Sequence, residues 1–258
     1  SRVDQGGSLT LDANARVRQN LRSGILLTVC GAAILGAMDG TGKYLTSSLS
    51  VGHILWARYF FHILIVFLVL SRSGSFEFLR TKKPGLQFVR AAAVFGATIC
   101  MYYALRVIPL ADATAIQFLN PAFVTLFAAW LLKEKIGWHR ITAVAVGFGA
   151  VLLIIRPGFA GFDWHFLLPL VTAVLVALYI VLTRHLSEFD DEMTTFFYSM
   201  VLGAVVLTLA LPWLYTAPSP RDWMVSIAMG VLGAGGHLLL VKALHRVQAS
   251  FLSPYMYA

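Results

Sequence analysis

The ionisable residues that could do chemistry in this chain are few, and several stand inside long apolar runs. Asp39 and Arg58 lie in successive runs, each roughly two helical turns from the end the two runs share. A charge within a bilayer is costly and by default marks a substrate or proton pathway. Successive spans are antiparallel, so the two charges come to similar depth and are expected to face each other. Three readings of them are open. They are a structural pair that neutralises both charges, or Arg58 holds a substrate carboxylate while Asp39 takes a proton or an amine, or Arg58 snorkels to an interface. Lys43, one turn beyond Asp39, offers an alternative i,i+4 partner. His62, one turn from Arg58, is expected to support it.

Other polar residues in the runs suggest a cavity. Gln117 could offer an amide to a substrate, one turn before Pro121. Asn120-Pro121 lies in mid-run, where proline removes a backbone hydrogen bond and kinks the helix. The freed carbonyls can face a cavity, or the kink serves packing alone. Ser253-Pro254 repeats the break at a similar depth. Asp112 begins its run and either complements the helix dipole or belongs to a gate. His237, beside Gly233, Gly235 and Gly236, either bonds a neighbouring helix or lines the cavity. Trp56, Tyr59, Tyr102, Tyr103, Tyr179, Tyr198, Tyr255 and Tyr257 could wall the cavity, stacking on an aromatic substrate or attracting a cation. Most of Trp138, Trp164, Trp213 and Trp223 stand at run ends, as an interfacial belt does. Gly36-x-x-x-Gly40 and Gly147-x-Gly149 read as close helix packing. The chain has no His-Glu-x-x-His, Gly-x-Ser-x-Gly or P-loop motif, so neither enzyme nor ATP-driven pump is expected, and no metal or cofactor.

The elements that must position these residues follow from composition. The 258 residues are 59% hydrophobic and only 12% charged, with a mean hydropathy of +0.77. Soluble domains carry about 25% charged residues. An ordinary soluble enzyme is thereby excluded, as is a disordered chain. The net charge of +8 does not indicate nucleic-acid binding, because the basic residues stand between apolar runs instead of on one face. Each bilayer crossing takes about 20 residues, so the length allows about ten at most. The runs are 23–46, 51–70, 86–106, 110–132, 138–155, 164–186, 193–214 and 222–244, and a ninth begins at Ala249. Cys30 and Cys100 read as small packed hydrophobes. Residues 1–20 read as a flexible cytoplasmic tail with no signal peptide.

Topology follows from the basic residues. Arg2, Arg16, Arg18, Arg22, Arg72, Arg80, Lys82, Lys83, Arg90, Lys133, Lys135, Arg140, Arg184, Lys242 and Arg246 fall on one side. Lys43, Arg106, Arg156 and Arg221 fall on the other. That excess places the N-terminus in the cytoplasm. A repeat is also visible. Lys43-Tyr44-Leu45 answers Arg184-His185-Leu186, and Ala104-Leu105 answers Ala243-Leu244 at nearly the same offset. Five helices per half would invert the second copy. The substrate site then lies between the halves near the midplane, and access alternates.

Several segments together resemble the drug/metabolite transporter superfamily in its EamA-type two-repeat branch. They are Trp56-Ala57-Arg58-Tyr59, Tyr103-Ala104-Leu105, Ala111-Asp112-Ala113-Thr114-Ala115, Asn120-Pro121, Lys133-Glu134-Lys135, Arg156-Pro157-Gly158, Gln248-Ala249-Ser250 and Ser253-Pro254-Tyr255-Met256-Tyr257. The wording is most similar to the branch of S-adenosylmethionine and amino-acid transporters. The resemblance implies an all-α polytopic membrane protein of two inverted five-helix repeats, with carrier activity, and leaves a homodimer open. It divides the chain into the tail 1–20, a first repeat 21–155 and a second repeat 164–258. Eight runs and a begun ninth leave that second repeat incomplete. The expectation is a carrier in the bacterial inner membrane that moves a small polar metabolite by alternating access. An amino acid or related compound is expected as substrate, with export favoured and S-adenosylmethionine as the alternative. The other classes are a membrane enzyme on lipid-linked substrates and a non-transporting scaffold. The cavity is expected between the first, second, third, fourth, sixth, eighth and ninth runs.

Overall fold

Long apolar runs must satisfy their backbone groups internally, which helices do. The computed structural model describes residues 3–72, 76–131, 138–155 and 163–257. The helices are α1 (Val3–Leu45), α2 (Val51–Ser71), α3 (Pro84–Val107), α4 (Leu110–Gln117), α5 (Asn120–Leu131), α6 (Trp138–Ile155), α7 (Leu167–Leu186), α8 (Glu192–Leu214), α9 (Pro220–Arg246) and α10 (Ala249–Leu252). Short 3-10 turns occupy Glu77–Leu79, Trp164–Phe166 and Ser253–Tyr257. No strand occurs among the described residues. Seven stretches among them are long and apolar enough to cross a bilayer, with α4 and α5 together making one. The chain is an all-α polytopic membrane protein.

Local chemistry sets the helix starts. The Ser50 hydroxyl accepts from the His53 N–H and caps α2. Pro84 and Pro220 open α3 and α9, where the missing N–H costs nothing. Ser219 and Asp222 form a reciprocal capping box on α9.

Four expectations change. The helical backbone of α1 reaches back to Val3, because no proline interrupts it. The fourth run is two helices, with Phe118 and Leu119 between α4 and α5 just before Pro121. Gly36 and Gly40 do not mediate close packing, since a Cβ at either would meet nothing within 4 Å. Cys30 is exposed instead of packed. Trp138, Trp164 and Trp213 are exposed as the belt requires, whereas Trp223 packs inward against His53, Trp56 and Phe61.

Close packing falls at other glycines. A Cβ at Gly31 would stand 3.1 Å from the Gly236 carbonyl, and one at Gly236 only 2.7 Å from Leu35. Gly24 meets Val247 and Gly233 meets Met38, so rising numbers on α1 meet falling numbers on α9. These two helices are therefore antiparallel. The pairing of helices is reciprocal: α1 packs on α9 as α7 packs on α3, and α2 packs on α9 as α8 packs on α3. Helices α2 and α8 pack on each other. Gly42 admits the Tyr102 ring, and Gly203 admits the Tyr59 ring.

At one end, Asp190 joins the turn after α7 to the entry of α3. It accepts from the Thr81 hydroxyl (2.5 Å), the Lys82 N–H (2.8 Å) and the Gln87 amide (2.8 Å). Burial pushes its carboxyl up, but these three hydrogen bonds outweigh burial and hold it below the ordinary value of 3.8.

Two stability outcomes follow. Gly203→Ala drives a methyl into the buried Tyr59 ring and should cost about 1–3 kcal/mol, whereas Gly36→Ala should be neutral or mildly stabilising; thermal unfolding in detergent distinguishes them. A depressed carboxyl contributes its stability above its unfolded pKa and loses it as pH falls through the lower folded value. Asp190→Asn should therefore lower stability at pH 7 by about 1–2 kcal/mol, with the gap to wild type closing only below about pH 4. A gap that closes near pH 6 would contradict this assignment.

Candidate functional site

The helices enclose a cavity of about 410 Å³, within the range of small-molecule pockets. Helical periodicity builds its wall. Thr28, Ala32, Leu35 and Asp39 form one stripe of α1, and Val94, Ala97, Thr98 and Met101 one stripe of α3. Thr172, Val176, Tyr179 and Ile180 do the same on α7. Arg58 of α2, Leu110, Thr114 and Gln117 of α4, His237 and Leu240 of α9, and Met256 of the last 3-10 turn complete it. These elements are the ones expected from the sequence.

Asp39 and Arg58 do face each other, with Arg58 Nη1 at 3.3 Å from Asp39 Oδ1. The same nitrogen donates to the Tyr102 hydroxyl at 3.3 Å, and the guanidinium carbon lies 5.5 Å from the Tyr102 ring centre. The side chain of Arg58 is only 8% exposed and that of Asp39 29%, so both line the cavity and the carboxylate is the more accessible of the two. Lys43 does not pair with Asp39. Its ammonium donates to the carbonyls of Leu105 and, at 3.3 Å, Ile108. These carbonyls end α3, which lacks further N–H donors to satisfy them.

On the opposite wall, the Tyr179 hydroxyl lies 3.4 Å from His237 Nδ1, so His237 both bonds a neighbouring helix and lines the cavity. His62 makes no hydrogen bond to Arg58. Its ring lies 5.5 Å from that of His237 because both project between α2 and α9. Behind Tyr179, the buried Arg90 donates to Gln87, Thr183, Ser199 and the Thr195 carbonyl, with its guanidinium 5.3 Å from the Tyr179 ring centre.

Several expected wall residues lie elsewhere. Trp56 stacks on Phe60 at 4.9 Å in an aromatic cluster with His53 and Trp223, on another face of α2 from Arg58. Tyr59 is buried, donating to Thr98 at 3.1 Å. Tyr102 stands behind Arg58. Asn120 uses its amide at the break to donate to the Ala173 carbonyl at 2.9 Å, bridging α5 and α7. Tyr255 packs on Phe251, Tyr103 is half-exposed, and Tyr198 donates to the Leu79 carbonyl. The side chain of Tyr257 lies outside the described residues. Asp112 stands in the first turn of α4, away from the cavity, where an acid complements the dipole. Pro121 follows the α4–α5 break, and Pro254 lies in the 3-10 turn after α10. Both breaks adjoin wall residues, Gln117 and Phe118 at one and Met256 at the other.

The reading from sequence missed the threonines. Thr28, Thr98, Thr114 and Thr172 all line the cavity, and each hydroxyl donates to the carbonyl four residues earlier. That back-bonding satisfies the hydrogen and leaves oxygen lone pairs to accept from a ligand, although Thr98 already accepts one hydrogen bond from Tyr59. Thr28 falls on the same stripe of α1 as Asp39, which is the one signal that could have found it.

Residues 22–156 and 163–258 each match the EamA-like transporter family. The pseudopaline exporter CntI of Pseudomonas aeruginosa (strain UCBPP-PA14) is 26% identical over 242 residues, 92% of this chain and 84% of that protein. The S-adenosylmethionine uptake transporter of Rickettsia bellii is 26% identical, covering 86% of this chain and 76% of its own. The riboflavin transporter of Brucella anthropi is 29% identical, covering 78% and 73%. A crystal structure at 21% identity superposes with a TM-score of 0.65 over 94% of this chain and 84% of that one, which shows a shared fold.

Removing one member of a buried ion pair strands the other and costs about 3–5 kcal/mol, more than removing both. Asp39→Asn, which strands the enclosed guanidinium, should therefore destabilise the protein more than Arg58→Gln, which leaves only the more accessible carboxylate. The double variant should recover about 1–3 kcal/mol relative to the sum. Thermal unfolding of the four proteins measures this, and additive losses would show that the pair is not coupled.

Proposed function

Because the chain belongs to the EamA-like transporter family, within the drug/metabolite transporter superfamily, we propose that this membrane carrier moves a small zwitterionic metabolite, an amino acid or related compound, by alternating access. Transport of a small molecule is the family's business, and the named relatives carry quite different substrates. The substrate class must then be argued from the cavity.

The observation that carries the reading is the Asp39–Arg58 pair at the cavity wall. A charge at this depth needs a partner at every stage of a cycle. A substrate bearing one ammonium and one carboxylate can enter between the two side chains and replace one ion pair by two. A simple cation would leave Arg58 uncompensated, and a simple anion would leave Asp39 so. The threonine oxygens and His237 offer hydrogen bonds to the remainder of the molecule, and Leu35, Met101, Val176 and Leu240 offer apolar surface. S-adenosylmethionine carries the same amino-acid end and belongs to the same chemical class. The excess of Lys and Arg between alternate spans supports a cytoplasmic N-terminus. The reciprocal packing of the two halves supports an inverted repeat with its site between them.

The test is counterflow in proteoliposomes with labelled amino acids and S-adenosylmethionine, with riboflavin as the substrate lacking an amino-acid end. Trans-stimulated exchange of an amino-acid-type compound is expected; exchange of riboflavin alone would overturn the zwitterion reading. Asp39→Asn should reduce exchange about tenfold or more, the size of one charge-assisted hydrogen bond. If Asp39 also carries the coupling proton, the variant's residual transport loses its pH dependence. Full activity in the swapped pair Asp39→Arg/Arg58→Asp would reduce the two residues to a structural pair.

A further inference from the structure

Two cations outside the cavity make the same unusual contact in the two halves. Lys43 reaches from α1 to the carbonyls of Leu105 and Ile108 at the end of α3. Arg184 reaches from α7 to the carbonyls of Leu244 and His245 at the end of α9, each at 3.3 Å. The exchange that carries α1 to α7 and α3 to α9 is the one that relates the rest of the packing. The sequence matches at the same points, Lys43-Tyr44-Leu45 to Arg184-His185-Leu186 and Ala104-Leu105 to Ala243-Leu244.

Their placement relative to the cavity is also matched. Asp39 and Met101 line it, and Lys43 and Leu105 stand one turn beyond them. Ile180 and Leu240 line it, and Arg184 and Leu244 stand one turn beyond those. Since α1 and α9 are antiparallel, with Gly24 beside Val247, the two contacts sit at opposite ends of the cavity. Each clamped helix end leads within a few residues into a broken helix that supplies the wall. After α3 comes α4, with Leu110 and Thr114; after α9 come α10 and the turn bearing Met256.

We propose that Lys43 and Arg184 are positioning residues for transport, two reciprocal end clamps of which one must release for the cavity to open at its end. The proposal rests on the alternating-access reading above. The chemistry suits a reversible fastening. The last carbonyls of a helix lack intrahelical donors and carry partial negative charge, so an ammonium or guanidinium is their natural partner. A cation bound to neutral carbonyls also separates more readily than one bound to a carboxylate. Simple helix capping would stabilise the protein without favouring either end. The clamp differs in that each residue biases the carrier toward a different face.

A cysteine reporter separates these. Gly36 lines the cavity, and a Cβ there meets nothing within 4 Å, so Gly36→Cys with Cys30→Ala and Cys100→Ala places one thiol in the cavity. A membrane-impermeant methanethiosulfonate is applied to right-side-out and to inside-out vesicles, and the ratio of labelling rates from the two faces is read. Lys43→Met should shift that ratio about tenfold toward one face, the loss of one charged hydrogen bond, and Arg184→Met about tenfold toward the other. Lys43→Arg and Arg184→Lys should keep the ratio near its starting value. Because the ratio is taken within one preparation, a lower yield of folded protein does not move it. A ratio unmoved by either methionine variant, or shifted the same way by both, overturns the clamps. Absence of counterflow in the unmodified protein overturns the transport reading instead, and the labelling ratio still tests the clamps.

Discussion

A guanidinium in the middle of an apolar bundle must be answered on every side, and much of this structure is the answer to Arg58. Asp39 supplies the opposite charge, and Tyr102 supplies both an oxygen and a ring face. Tyr102 reaches that position because Gly42 has no side chain, and its hydroxyl lies 3.6 Å from the Met229 sulfur. One charge on α2 thereby commits α1, α3 and α9 to a common depth. The arrangement leaves Asp39 as the more accessible member of the pair at the cavity wall. A bilayer protein does not gain from apolar burial between helices as a soluble protein does, since lipid is as apolar as a neighbour. Polar contacts of this kind and close glycine packing must then carry helix register.

The second constraint is where broken helices send their backbone groups. Pro121 stands at the break within the α4–α5 span and Pro254 in the 3-10 turn after α10, both next to the cavity, and unpaired carbonyls in hydrocarbon are costly. The described contacts brace the helices around these breaks. The Asn120 amide crosses to the Ala173 carbonyl, and Thr125 donates to the Pro121 carbonyl at 2.8 Å. Lys43 and Arg184 take the carbonyls at the ends of α3 and α9. Besides the Asp39–Arg58 pair, Gln117, Tyr179 and His237, the polar wall of the cavity is threonine oxygen, a weak acceptor.

Depth was legible in the sequence and azimuth was not. The runs, the proline breaks and the partnership of Asp39 with Arg58 follow from length and from the cost of a lone charge, which do not depend on which way a helix is rotated. The faces of the helices do depend on it. In a soluble helix the hydrophobic stripe points to the core, but here both lipid and protein interior are apolar, and that pattern is lost. Trp56 and Tyr59 were therefore expected at the cavity although they point into aromatic and helix contacts. The stripe Thr28, Ala32, Leu35 and Asp39 passed unseen for the same reason. Arg90 stood among the charges of a loop in the topological count, yet it is fully buried, because Gln87, Thr183, Ser199 and the Thr195 carbonyl together replace its water.

The two halves share packing but not the chemistry of their cavity-facing residues. At the offset that takes Lys43 to Arg184, Ser50 falls on Asp191, and each is the residue preceding its helix. Asp39 falls on Ile180, and both positions face the cavity. Met38 falls on Tyr179, again with both at the wall. Arg58 falls on Ser199, and the space beside that serine is filled by Arg90 from α3, turned away from the cavity and satisfied by protein. On the proposed alternating-access reading, matched packing would let the two ends open by equivalent movements. On the proposed zwitterion reading, a charge pair present in only one half would give the substrate a single orientation. Had both halves kept a pair, two antiparallel binding modes would compete within one cavity, and the electrostatic cost of each access state would double. Among the described residues the second half brings no charged side chain to the cavity, so the packing is alike on both sides and the cavity surface is not.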